Sequence, residues 1–365
     1  MTRKTAISIA FRLLFLLLAA GLLCYTIRHT DADVLAALRD GARLPLVSAL
    51  ALYGLAQILG AWRWQTLLAV QGLHLTLWTA LRLTLVGSFF SLIIPGSVTG
   101  DILKIAIASQ RYPGKVTELT LVDLVDRVIG LAGIFFAAAV ATLLCASLLP
   151  GIFAARQSWI VALAILAINL GCLGTILLYL LWLTQPRWTA WNWVKRLQLS
   201  LKRILPKAIT RIARRMNDAL GLYRKHQRAL LTAMIISVII HLTVSSTVFC
   251  LGRALHENQM RFGQYALTTQ LANVTGILPI TPGGIGLRDA VSAQLFEHFH
   301  AEPASVRGDI PLLNSLIIVF WGLAGALIYA CSPSFKKPVQ GCADAEQNAQ
   351  AHLDSATLPS ENPNQ

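Results

Sequence analysis

The chain has 365 residues, of which 55% are hydrophobic and only 13% charged, and it carries a net charge of +14. Ordinary soluble domains hold about 25% charged residues, so this composition excludes a disordered chain, a disulfide-rich secreted scaffold and a conventional soluble enzyme. The mean hydropathy of +0.61 is that of a polytopic membrane protein whose apolar side chains face lipid.

Long apolar runs set the chain order. Residues 6–27, 44–62, 119–149, 159–183, 229–251 and 311–331 each approach the length of a spanning helix, which needs about 20 residues. The first run follows Arg3 and Lys4 without a small-residue cleavage site, and reads as an uncleaved helix. Two further apolar stretches, 81–94 and 264–280, end in Pro/Gly clusters, and each is followed by a short second arm, 101–110 and 285–299. From Ser332 onward the Pro, Ser, Gln and Asn content predicts a disordered cytoplasmic tail, 332–365.

The positive charge has a location. Segment 184–228 holds twelve Lys and Arg against the single acid Asp218. The positive-inside rule puts this segment in the cytoplasm, together with both termini and Arg63, Arg82, Arg111 and Lys115. Its alternation of apolar and cationic residues predicts amphipathic helices on the inner leaflet, with a plain solvated loop as the competing reading. No nucleic-acid module accompanies it. Most of the nine Trp, among them Trp62, Trp64, Trp159, Trp182, Trp188 and Trp191, fall near span ends and read as an interfacial belt. The six cysteines form no CxxC pair and read as small packing residues.

With these sides assigned, residues 1–149 run span, span, broken hairpin, span, and residues 159–331 repeat the order in the opposite orientation. The fold expected is therefore an all-α polytopic membrane protein. It is an inverted-topology repeat with about six spanning helices and two broken re-entrant helical hairpins. The turns also match: Pro95-Gly96-Ser97-Val98-Thr99-Gly100-Asp101 parallels Pro282-Gly283-Gly284-Ile285-Gly286-Leu287-Arg288-Asp289, with one residue inserted.

Pro and Gly breaks at membrane depth must line a cavity or lie buried in protein, because unsatisfied peptide groups are costly in hydrocarbon. The arms starting near Asp101 and Ile285 would aim N–H groups and positive dipole ends at that cavity, which suits a phosphate. Simple kinks or interfacial loops are the alternative. Ionisable residues cluster beside the breaks: Asp101 and Lys104 after the first, Arg288 and Asp289 after the second, and Asp123, Asp126 and Arg127 at the start of the third span. Such residues mark substrate paths or lock helices as structural ion pairs, and Asp123 with Arg127 has the i,i+4 spacing for mutual neutralisation. His241, Gln270, Asn273 and Asn314 read as polar contacts between helices, with a proton-carrying role for His241 as the rival. No metal, cofactor or catalytic motif is present, so the chain is expected not to be an enzyme and to need no cofactor.

Arg63-Trp64, Pro95 with Gly100-Asp101-x-x-Lys104, Asp126-Arg127-x-x-Gly130-Leu131, and Leu278-Pro279-x-Thr281-Pro282-Gly283-Gly284-Ile285-Gly286 occur in that order. The pattern resembles the transmembrane flippase-like family of the lysylphosphatidylglycerol synthase/flippase proteins over roughly residues 5–332. The resemblance implies a bacterial inner-membrane protein that moves an anionic phospholipid or polyprenyl-phosphate-linked substrate between leaflets. Together with the breaks and the charges beside them, this gives Pro95, Gly96, Gly100, Asp101, Lys104, Asp126, Arg127, Thr281, Pro282, Gly283, Gly284, Gly286, Arg288 and Asp289 as the expected headgroup-binding residues. Where the family has Gly-Gly-Asp-x-x-Arg this chain has Thr99-Gly100-Asp101-x-x-Lys104, and Ser91 stands where Asn is common, which implies a changed headgroup preference. Bifunctional members add an aminoacyl transferase domain. None follows before Gln365, so this chain is not expected to make aminoacyl lipid. A non-catalytic accessory subunit for a lipid- or glycan-modifying membrane enzyme is the alternative function.

Overall fold

The computed structural model describes residues 34–93, 99–145, 159–183, 221–275, 281 and 284–332. The predicted first span, most of the basic segment and the tail lie outside the described residues, as do Pro95, Gly96, Pro282 and Gly283. In chain order the elements are α1 (Val34–Asp40), α2 (Arg43–Val70), α3 (Leu77–Ile93), α4 (Thr99–Arg111), α5 (Val116–Leu144), α6 (Trp159–Leu183), α7 (Gln227–Ala254), α8 (Phe262–Thr275), α9 (Leu287–His298) and α10 (Val306–Cys331). Among the described residues every regular element is helical.

Among the described residues, four helices, α2, α5, α7 and α10, are long and apolar enough to cross a bilayer. They have 28, 29, 28 and 26 residues, about 40 Å each at 1.5 Å per residue. Helix α6 has the bounds predicted for the fourth span. The others between them come as half-length pairs: α3 and α4 with 17 and 13 residues, α8 and α9 with 14 and 12. Large apolar side chains such as Leu44, Val47, Leu143, Leu170, Leu231 and Leu327 are exposed on the outer surface, as expected of a protein solvated by lipid.

At the centre α2 and α7 pack antiparallel over their full length. Ala42 N–H donates to Ala254 O at 2.9 Å at one end, and the Tyr223 hydroxyl donates to Leu67 O at 3.0 Å at the other. Helix α3 packs on α10, where Phe90 and Tyr329 meet edge to face at 5.1 Å. Helix α5 packs on α8, with Gly263 against Leu144 and Cys145. The half-length helices join the spans that follow them, α4 to α5 and α9 to α10.

Small residues let these helices approach, since in lipid there is no hydrophobic drive between them and close van der Waals packing must hold them. Gly133 on α5 leaves room for Ser237 and His241 on α7, and Gly325 on α10 lies against the Leu85 carbonyl of α3. Gly325→Ala is expected to force α10 off α3 and to lower unfolding stability in detergent by about 1–3 kcal/mol through overpacking. Gly174→Ala, where an added Cβ meets nothing within 4 Å, should leave the unfolding midpoint unchanged or slightly raised.

Two sequence expectations are corrected here. Arg63 is not a cytoplasmic loop charge: α2 continues to Val70 and takes Arg63 inside the bundle. Trp64 is not part of an interfacial belt, being only 1% exposed, whereas its neighbour Trp62 is exposed. The helix runs on because Arg63 finds a carboxylate partner on another helix, which removes the cost that would have ended the span there.

Candidate functional site

The site begins where α4 starts. Gly100, in the first turn, crosses α3 at Gly87. A Cβ on Gly100 would collide with the Gly87 carbonyl and the Ser91 hydroxyl. This crossing turns the next residues toward α2 and α5. Asp101 and Lys104, one turn apart, approach to 3.3 Å, and Lys104 Nζ reaches Asp123 of α5 at 2.7 Å. The same ammonium sits 4.6 Å above the Trp64 ring, a cation–π contact that helps keep it in place. Arg127 of α5 donates to Asp101, and its Nε lies 4.0 Å from Asp123.

Beside Trp64 on α2, Arg63 grips both oxygens of Asp126, which lies about one turn beyond Asp123 on α5, Nε to Oδ1 at 2.8 Å and Nη2 to Oδ2 at 3.0 Å. Its Nη1 donates to the Ser237 hydroxyl at 2.9 Å. Gly130 lies beside this guanidinium, where an added Cβ would make an ordinary contact at 3.5 Å. Three cations (Arg63, Lys104, Arg127) thus meet three carboxylates (Asp101, Asp123, Asp126), and the cluster is neutral overall. Mutual pairing with several hydrogen bonds is the condition under which buried charges are tolerated.

A cavity of about 280 Å³ lies against this cluster. Arg63, Lys104, Asp101 and Asp126 form one wall, and Tyr53, Gln57, Thr84, Ser88 and Ser91 supply further polar lining from α2 and α3. Gly60 and Gly87 line it too, and Leu92 and Ile318 add apolar surface. Among the described residues, no group of three or more His, Cys, Asp or Glu side chains is placed to hold a metal ion.

The second break builds a smaller polar group. Thr281 is buried, and Gly284 and Gly286 take positive φ values of 74° and 85° in the turn leading to α9. These are angles that favour glycine. Asp289, fully buried in the first turn of α9, accepts the Gly286 N–H at 3.0 Å and the Ser315 hydroxyl of α10 at 2.7 Å. Arg288 donates to Ser315 at 2.8 Å and to Asp289 at 3.3 Å. The Gly286 N–H, expected to point into a cavity, is therefore capped by the protein's own carboxylate. Asp101 likewise occupies the first turn of α4. Each helix start carries an internal anion against its positive dipole end.

Of the predicted site residues, Asp101, Lys104 and Asp126 line the cavity together, and Gly100 shapes the crossing beside it. Arg127 reaches the cluster from outside the lining. Thr281, Gly284, Gly286, Arg288 and Asp289 belong to the second group. Arg288 interacts electrostatically with the Tyr53 phenol, which lines the cavity. Pro95, Gly96, Pro282 and Gly283 lie outside the described residues. Sequence reasoning missed Arg63 and Trp64 as site residues, along with Tyr53, Gln57, Ser237 and Ser315. Arg63-Trp64 was visible as a motif, but its burial was not. The His241 region is the polar helix interface expected. His241 Nε2 lies 3.2 Å from Gly130 O, and Gln270 Nε2 donates to His241 O at 3.2 Å and to Ser245 Oγ at 2.9 Å.

Helices of spanning length around a cavity lined by paired charges define a multi-pass membrane protein. The chain belongs to the family described as the lysylphosphatidylglycerol synthase transmembrane region, whose model matches residues 9–307. The family ties it to lipid modification or lipid flipping. No curated protein matches the chain.

Proposed function

We propose that this protein is a carrier rather than an enzyme, and that it moves a phosphate-bearing lipid between leaflets by alternating access. The substrate is an anionic phospholipid or a polyprenyl-phosphate-linked lipid. The setting is the bacterial inner membrane, with both chain termini in the cytoplasm. The observation that carries the reading is the polar cavity bounded by Arg63, Lys104, Asp101 and Asp126 among helices of membrane-spanning length. Ionisable groups at such depth are expensive and are kept for a use.

An inverted repeat with two re-entrant hairpins gives this cavity its mechanism, and the packing supports it. Pairing α2 with α7, α3 with α8, α4 with α9 and α5 with α10 maps the contacts onto one another. The α3–α10 contact becomes α8–α5, α2–α3 becomes α7–α8, and α4–α5 becomes α9–α10. The α2–α7 contact maps onto itself, and those two helices are antiparallel. Equivalent helices related by an axis in the membrane plane run in opposite directions, whereas an axis along the membrane normal keeps them parallel.

The cations are already paired, so a phosphate is held by exchange: it takes Lys104 or Arg63 as a carboxylate is released. Arg63 offers a bidentate fork and Lys104 a point charge. Rocking of one half against the other then exposes the headgroup alternately. The test is a leaflet-resolved assay in vesicles containing a trace of headgroup-labelled anionic phospholipid. Wild-type protein should equilibrate the label, and Lys104→Gln should slow it at least about tenfold, the rate equivalent of 1.4 kcal/mol. Equal rates in protein-containing and empty vesicles would refute transport.

A further inference from the structure

A lipid headgroup has to reach the cavity from the side, and the Asp101–Arg127 pair stands at the cavity's edge. Asp101 lines the cavity, whereas Arg127 does not. Their side chains are 25% and 35% exposed, in a seam between α4 and α5. The outer flanks of this seam are apolar: Ile102 on α4 is 60% exposed, and Leu124 and Val128 on α5 are 49% and 59% exposed. Arg127 is eleven residues into α5, about 16 Å along the helix. An arginine so far from the helix end, a third exposed beside lipid-facing leucine and valine, is a costly placement that a purely structural ion pair would avoid. The charges beside the second break show the contrast, with Arg288 11% and Asp289 1% exposed.

We infer that the α4–α5 seam is the lateral doorway through which a single bilayer phospholipid presents its headgroup to the cavity, with Arg127 as the first residue to meet the phosphate. The inference rests on the carrier reading above and names its entry route. The phosphate takes Arg127 from Asp101. Asp101 keeps Lys104, already 3.3 Å away, as its partner. The headgroup passes between the separated side chains while the acyl chains stay outside on Ile102, Leu124 and Val128. A water-soluble phosphate would have no use for this route, because it opens onto hydrocarbon.

The test uses the full chain in a cysteine-free background carrying Ile102→Cys and Val128→Cys, reconstituted with a trace of headgroup-labelled phosphatidylglycerol. A short bifunctional methanethiosulfonate bridges the seam, and a monofunctional reagent of the same chemistry is the control for bulk. Bridging should slow lipid translocation by at least about tenfold, a reductant should restore it, and the monofunctional reagent should leave it within twofold. Arg127→Gln should lower the rate with unbridged cysteines, and Arg127→Lys should recover part of it. Translocation at the unbridged rate with the seam closed would overturn the doorway while leaving the carrier standing. No translocation by the unbridged protein would overturn both. Uptake of soluble glycerol phosphate that ignores the bridge, with no movement of the lipid, would assign the cavity to a solute and overturn the lipid route.

Discussion

Replacing Arg63 by methionine will destabilise the protein by about 3–5 kcal/mol, the cost of leaving one member of a buried ion pair without its partner. Arg63 and Asp126 are 12% and 13% exposed and joined by two hydrogen bonds, so the variant strands a carboxylate among apolar helices. It also removes the contact from Arg63 to Ser237, which ties α2 to α7 beside α5. The same pair predicts non-additivity. Arg63→Met with Asp126→Leu removes both charges and should recover most of the loss, because apolar replacement of a whole buried pair is often neutral. Equilibrium unfolding in mixed micelles of the two single variants and the double variant measures this. Additive losses would show that the two residues act separately.

Asp289→Ala should be comparably severe, again about 3–5 kcal/mol. Its carboxylate caps the start of α9 through the Gly286 N–H, accepts the Ser315 hydroxyl from α10 and faces Arg288. Alanine removes all three and leaves Arg288 buried without a counter-charge. Asp289→Asn keeps an oxygen for the cap and Ser315 and should lose less. Ser315→Ala removes only the hydroxyl between Arg288 and Asp289 and should cost about 1.5–3 kcal/mol, the range for a hydrogen bond to charged groups. Unfolding midpoints should rank wild type, then Ser315→Ala and Asp289→Asn, then Asp289→Ala. An Asp289→Ala protein as stable as wild type would mean that α9 is not held by its cap.

The long helices were legible in the sequence because spanning length and apolar content are local properties. The apolar runs at 119–149, 229–251 and 311–331 correspond to α5, α7 and α10 within a few residues. The half-length helices were legible because Pro and Gly mark the breaks. The charges were harder. Asp123 and Arg127 have i,i+4 spacing, yet their separation is 4.0 Å, whereas Asp123 meets Lys104 from another helix at 2.7 Å. In a low-dielectric interior the best-aligned partner wins over the nearest in sequence. Arg63 was misplaced for the same reason: hydropathy ends a span at the first charge, while the charge's real cost depends on Asp126, sixty-three residues later.

The sequence by itself determined that the chain is helical and membrane-embedded, where the helices break, and which ionisable residues stand beside the breaks. Hydrophobic length and backbone chemistry act within a segment, so they can be read along it. Only the tertiary structure decided that six of the charges form one neutral cluster beside the cavity, that Asp289 caps its own helix, and that Asp101 and Arg127 stay partly exposed while Arg288 and Asp289 are buried. Those outcomes follow from which helices touch, because the cost of burying a charge is cancelled only by a group brought to it through space.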